Sequence, residues 1–257
     1  MNIGLIPMSA KPYHLGHHML VEFAALGVLG DEILHEEAPD NDLAVVFVSY
    51  SSRGVKSATV KKVKREVPVA GETPVFGDDM RYIWQELLIP NLEMPSNVLV
   101  KTPDDGIPNS PIRCVFDVLD ALKQALDSGH SSVQLPYVGV SVDPEDVVVS
   151  IYSDNEDIER NYPDEYMHDR FPGMLGKSIL KVGVPRASTV EISGTKMRNL
   201  LCTGEREAFV EMLPPLPTHI ANQIYDILAT SVAQSCPRSQ WSKVGEGLIR
   251  QFVREVL

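Results

Sequence analysis

The chain is poor in cysteine, and the few it has are not placed to cooperate. Cys114, Cys202 and Cys236 are the only three in 257 residues. They make neither a CxxC pair nor a disulfide framework, so the expectation is three reduced thiols in a reducing compartment. An apolar run long enough to span a bilayer is also missing. The N-terminus opens on the apolar stretch Ile3 to Ile6, without the basic region and long apolar core of a secretion signal. A cytoplasmic protein with no membrane partner is expected. Nor is there a surplus of positive charge, since 23 Lys and Arg stand against 35 Asp and Glu, a net charge of -12. That excludes a whole-surface nucleic-acid platform, because an acidic body repels phosphate backbones unless a local patch dominates. No nucleic-acid partner is expected. Internal repeats and low-complexity tracts are absent.

What is present fits a soluble globule with 44% hydrophobic and 23% charged residues, long enough for one large domain plus an appendage. The expected division is an α/β domain over 1–212 and a C-terminal helical extension over 213–257. The first half alternates strand-like and helix-like segments, the pattern of an α/β fold with a parallel sheet, helices on both faces and extra C-terminal helices. Strands are expected over Asn2 to Ile6, Leu43 to Tyr50 and Asn97 to Thr102. Asp146 to Tyr152 is the best central strand, β-branched and without alternation. Helices are expected over His18 to Leu29, Asp78 to Leu88, and from Pro111 to about Leu126 behind an N-capping Ser110. Residues 153–176 read as an irregular loop or lid, followed by a short last strand at Val190 to Ile192. Helices then follow Ser193 to Leu201, Glu205 to Met212, Thr218 to Ala233 and Trp241 to Val256.

Two motifs carry chemistry. Chemistry at a phosphate needs donors and cations where negative charge accumulates, and no covalent nucleophile. His14-Leu15-Gly16-His17 follows the first strand and opens a helix. Its two imidazoles can aim N–H groups at a triphosphate, Gly16 permits close backbone approach, and the helix start adds a positive end. Late in the chain, Ile192-Ser193-Gly194-Thr195-Lys196-Met197-Arg198 supplies two hydroxyls, backbone amides around Gly194 and an arginine one turn on for the departing pyrophosphate.

Pro12 to His17 together with Ile192 to Arg198 resembles the HxGH and ISxTxxR signatures of the cytidylyltransferase-like nucleotidyltransferase superfamily. The Ser-Gly-Thr-x-x-Arg form is most similar to nicotinamide-mononucleotide adenylyltransferases of the archaeal type and to ATP sulfurylases. The opening Ile6 to Pro12 is similar to nucleotidyltransferases carried by bacteriophages. The resemblance implies a Rossmann-like core over roughly residues 1 to 205, ATP with substrate-bound Mg²⁺, in-line attack by an acceptor phosphate, and release of pyrophosphate. It implies catalytic roles for His14, His17, Lys11 and Arg198. Nucleotide binding is carried over to Ser9, Gly16, Ser153, Asp154, Ser193, Gly194 and Thr195. The partners it implies are a nucleotide and a small phosphate-bearing acceptor, nicotinamide mononucleotide first; a homo-oligomer is left open. Many relatives have Gly and Phe where this chain has Met8-Ser9-Ala10-Lys11 before Pro12. The Arg-Thr signature of lipid head-group cytidylyltransferases is missing, which favours ATP over CTP.

Each feature also has a plainer reading. His18 is the next helical residue. Arg53 to Arg65 holds six basic residues and no acidic one, and reads as a solvated, mobile segment before a lid or acceptor-phosphate site. Arg113, kept as an acceptor-binding candidate, reads first as a surface cation, like Arg160, Arg170 and Arg186. Trp84 reads as core, with stacking on the acceptor's ring as its functional alternative. A nucleotide-binding or assembly protein that has lost catalysis keeps both motifs as well. A class I aminoacyl-tRNA synthetase fragment is disfavoured by the missing KMSKS loop.

Overall fold

A computed structural model describes residues 1–9, 11–27, 40–60, 63–69, 72–184 and 192–232. In chain order the elements are β1 (Asn2–Met8), α1 (Leu15–Leu26), β2 (Leu43–Val48), β3 (Val55–Val60), β4 (Val63–Pro68) and α2 (Gly77–Tyr82), followed by β5 (Val98–Lys101) and α3 (Pro111–Asp127). After them come β6 (Val133–Gln134), β7 (Ser141–Val142), β8 (Val148–Asp154), α4 (Asn155–Asn161), α5 (Asp164–Arg170), β9 (Ile179–Val184), α6 (Gly194–Thr203), α7 (Arg206–Val210) and α8 (Thr218–Val232). The chain divides into two compact units, Met1–Ser9 with Gly16–Ser49 and Met94–Glu191, and Ala10–Leu15 with Tyr50–Glu93 and Ile192–Leu257. Both units are assembled from separate stretches, and neither has a boundary at 212/213.

The first unit is an α/β, Rossmann-like fold. Five parallel strands lie in the order β5-β2-β1-β8-β9. The chain therefore fills one side of β1 before returning to the other, and the order reverses between β1 and β8. Because β1 is internal, both its faces are buried. Ile3 and Leu5, with Val45, Phe47, Val149 and Ile151, pack against Val115, Val118, Leu119 and Leu122 of α3. On the opposite face Phe23 of α1 meets Tyr152 edge-on at 6.0 Å, and Asn41 Nδ2 donates to Ala24 O at 2.7 Å and to the Tyr152 hydroxyl at 2.8 Å. Helices thus cover both faces, as β-branched internal strands require.

Several expectations need correction. Residues 153–176 are not an irregular lid, because they hold the end of β8, α4 and α5. Asp154 caps α4 by accepting the Asp157 N–H at 2.9 Å. The strand after them is β9, six residues long and missed in the sequence. The expected strand at Val190 to Ile192 falls on residues 190–191 outside the described set, as do Arg186 and the Trp241 to Val256 helix. Arg53 to Arg65 is no featureless segment, since β3 and β4 pair antiparallel from Val55↔Pro68 to Val60↔Val63. Cys114 is a buried free thiol, but Cys202 is disulfide-bonded. The expectation of three reduced thiols is thereby corrected at Cys202. No described helix is long and apolar enough to cross a membrane.

The second unit holds the β3–β4 ribbon, α2 and the helices from α6 on. After Tyr82 the α2 helix widens into a π-helix over Ile83–Leu88, and the Ile89 N–H reaches back to Trp84 O at 3.0 Å. That widening buries Ile83, Trp84, Leu87 and Leu88 together. Gly204 ends α6 in the left-handed region at φ +77°, as a helix stop of this kind favours. Phe209 of α7 meets Tyr225 of α8 edge-on at 5.5 Å, and Arg206 lies 4.4 Å over the Tyr225 ring while pairing with Asp226.

Candidate active site

The loop that leaves β1 and the start of α6, far apart in sequence, meet in the second unit. Arg198 Nη1 donates to Lys11 O at 2.9 Å, a bond that spans 187 positions. Its Nη2 donates to Thr195 Oγ1 at 3.0 Å. The helix start that aims this arginine follows from local chemistry. Ser193 has extended φ and ψ and accepts the Lys196 N–H at 3.1 Å, satisfying one free amide of the first turn. Gly194 follows because a Cβ there would stand 3.1 Å from both Lys11 O and Arg198 Nη1. Glycine lets the two segments approach.

Lys11 and Arg198 are both buried, 9% and 8% exposed. The Lys11 ammonium donates to Ser51 Oγ. Neither cation forms an ion pair among the described residues. Burial first, then the charges of Arg53 and Arg198, pushes Lys11 down to about 8. Arg198 is pushed down to about 10 by burial and then by Arg53, with Glu72 acting the other way, and it stays charged at neutral pH. Arg53 acts on both buried cations and Arg198 acts on Lys11, a gathering of like charge that an anion relieves. By contrast, an open hollow of about 570 Å³ beside α4 and β9 holds a single cation, Lys181. That amine is already paired with Glu159, at 2.9 Å, and with Asp164.

Behind Lys11, Tyr13 is 1% exposed and packs edge-on to Trp84 at 4.9 Å. Trp84 is fully buried, so its ring acts as core and presents no open face for stacking. His14 is buried in the same unit. The Leu15 N–H donates to Met212 O at 2.8 Å, within the same unit.

The remaining candidates belong to the first unit. Ser9 is exposed just beyond the carboxyl end of β1, and Gly16 and His17 lie in the first turn of α1. Ser153, buried, and the capping Asp154 close the carboxyl end of β8. Since β1 and β8 pair in parallel across the reversal of strand order, these positions occupy the switch point where open α/β sheets take ligands. His18 lies beside Glu22 at 3.6 Å, and burial lowers its pKa. Arg113 is 70% exposed and pairs with Asp117 at 3.7 Å, a surface interaction. Sequence reasoning missed Ser51, and it placed Arg53 only within a basic run. The signal available was their position directly beyond a strand's carboxyl end, at Val48. Among the described residues no group of three or more His, Cys, Asp or Glu could hold a metal ion. No family model, no curated protein and no solved structure matches the chain.

Proposed function

We propose that this chain is a nucleotidyltransferase that moves an adenylyl group from ATP to a small phosphate-bearing acceptor, nicotinamide mononucleotide first, and releases pyrophosphate. One observation carries the reading: the Arg198 guanidinium on the Lys11 carbonyl, which joins the segments holding the two motifs and sets two buried cations together with no carboxylate partner among the described residues. In the proposed reaction an oxygen of the acceptor phosphate attacks the α-phosphorus, a new P–O–P linkage forms, and the bond to the β-phosphate oxygen breaks. Lys11 and Arg198 take up charge on the β- and γ-phosphates, and His14 and His17 donate to the α-phosphate. Gly194 and Thr195 present the first turn of α6 to the same anion. Mg²⁺ enters as part of the ATP substrate. A cytoplasmic site of action follows from that substrate. The carboxyl ends of β1 and β8, with Ser9, Ser153 and Asp154, support a nucleotide-binding role for the sheet.

The test is pyrophosphate release from each nucleoside triphosphate with Mg²⁺ and a panel of acceptor phosphates. Release with ATP and one acceptor is expected. A folded preparation that neither releases pyrophosphate nor binds any triphosphate ends the proposal. Tight ATP binding without turnover favours the second reading, a nucleotide-binding protein of reduced activity.

A further inference from the structure

Of the six basic residues from Arg53 to Arg65, the five beyond Arg53 are absorbed by no role above, and all 35 acidic residues lie outside that segment. Lys56, Lys64 and Arg65 lie on a two-stranded ribbon that gains no third strand among the described residues. Six residues per strand give each about 20 Å of length. Lys56 stands opposite Val67 and Ala58 opposite Arg65, so Lys56 and Arg65 share one face as diagonal neighbours, about 7 Å apart. On the other face Thr59 stands opposite Lys64 and Ser57 opposite Glu66. Lys56, Ser57, Thr59, Lys64 and Arg65 are all exposed. The one carboxylate among them, Glu66, takes the Ser52 hydroxyl at the root.

Lysine and arginine interleaved with serine and threonine are the side chains that contact nucleic-acid phosphates. Lysine is depleted in protein–protein interfaces, which disfavours a second copy as the occupant. The described ribbon has no aromatic ring on which unpaired bases stack, which disfavours single strands, whereas a two-stranded ribbon fits the groove of a duplex. We propose that the β3–β4 ribbon is an arm that binds the phosphodiester backbone of double-stranded nucleic acid, with Lys56, Lys64 and Arg65 as its phosphate-contacting cations. The net charge of -12 excludes a whole-surface platform but not an arm that concentrates the opposite sign. The proposal goes beyond adenylyl transfer and does not rest on it.

The experiment compares the full chain with the variant Lys56→Gln, Lys64→Gln, Arg65→Gln, using a short labelled DNA or RNA duplex in fluorescence anisotropy and ATP in calorimetry. Three phosphate contacts give a slope of log affinity on log salt of about -3 in the parent, flattened in the variant. At low salt the variant binds duplex at least about tenfold more weakly. ATP affinity and melting temperature stay unchanged, because Lys11, Arg53 and Arg198 are untouched and the altered side chains are exposed. No duplex binding by the parent overturns the proposal, and so does equal affinity in the variant. A parallel loss of ATP affinity also overturns it, because the cations then serve the nucleotide site. A variant that changes only self-association overturns it too, because the arm then meets a second copy.

Discussion

Replacing Lys11 with methionine should make the protein more stable and weaken its grip on ATP. The side chain is 9% exposed, and its pKa falls from 10.5 to about 8. At about 1.4 kcal/mol for each pH unit, holding the ammonium charged in the folded chain costs about 3 kcal/mol as an upper bound. The folded chain binds this proton more weakly than the unfolded chain does. Between pH 8 and 10.5 the unfolded state therefore carries more protons, and stability rises with pH across that window. Below it the full cost stands. Methionine keeps an unbranched apolar stem, removes the cost, and gives up the bond to Ser51, itself worth about 1 kcal/mol. The net gain expected at pH 7 is about 1–2 kcal/mol, or roughly 3–6 °C in melting temperature for a chain of this size. Against this, the triphosphate loses a charge-assisted contact, which weakens ATP about tenfold or more. Differential scanning fluorimetry from pH 7 to 10 and calorimetry with ATP read both effects. The stability difference should shrink as the pH rises, because the parent sheds the same charge. A variant that melts lower than the parent at pH 7 and binds ATP equally well would refute the reasoning, since Lys11 would then be a structural residue.

Four further outcomes follow from the same geometry. Arg198→Lys keeps a charge but cannot reach Lys11 O and Thr195 Oγ1 together; pyrophosphate release should fall about a hundredfold while the melting curve moves little. His17→Ala should leave folding nearly unchanged and lower turnover about a hundredfold, as loss of a transition-state donor does; unaltered turnover would move the chemistry elsewhere. Gly194→Ala adds a Cβ 3.1 Å from the Lys11 carbonyl oxygen and the Arg198 guanidinium, so ATP affinity should drop roughly tenfold, although alanine favours the helix by about 1 kcal/mol. Trp84→Ala empties a fully buried site and should cost about 3–5 kcal/mol in chemical denaturation. If ATP and acceptor affinities fell while stability held, the ring would be a ligand contact after all.

The sheet was legible wherever burial is complete. β1, β2 and β8 are continuous apolar runs because neighbours pair on both sides and helices cover both faces. β9 escaped notice because it is the edge strand. Its middle four residues are only half buried, and Lys181 and Gly183 interrupt its hydrophobic pattern. Helices α4 and α5 were hidden by their length, seven residues each, with one buried residue apiece, Ile158 and Met167. Too few positions repeat for a helical period to show. The ribbon lacked the Asn-Gly or Asp-Gly pair that marks a tight hairpin, and its lysines read as solvent-facing charge. Of the site, the residue types and the capped start at Ser193 were legible. The carbonyl on which Arg198 rests was not, since a backbone acceptor leaves no mark on its own side chain.

The bond from Arg198 to Lys11 also sets an order of events during synthesis. The partner of Lys11 is made 187 residues after it, roughly 10–40 s at ordinary rates of elongation. Met212, whose carbonyl takes the Leu15 amide, comes later still. Through that interval the loop after β1 exists without Arg198 and Met212, and a nascent chain has yet to form the bonds that hold the segments together. The proposed hold on ATP therefore waits until Arg198 and Met212 have been made.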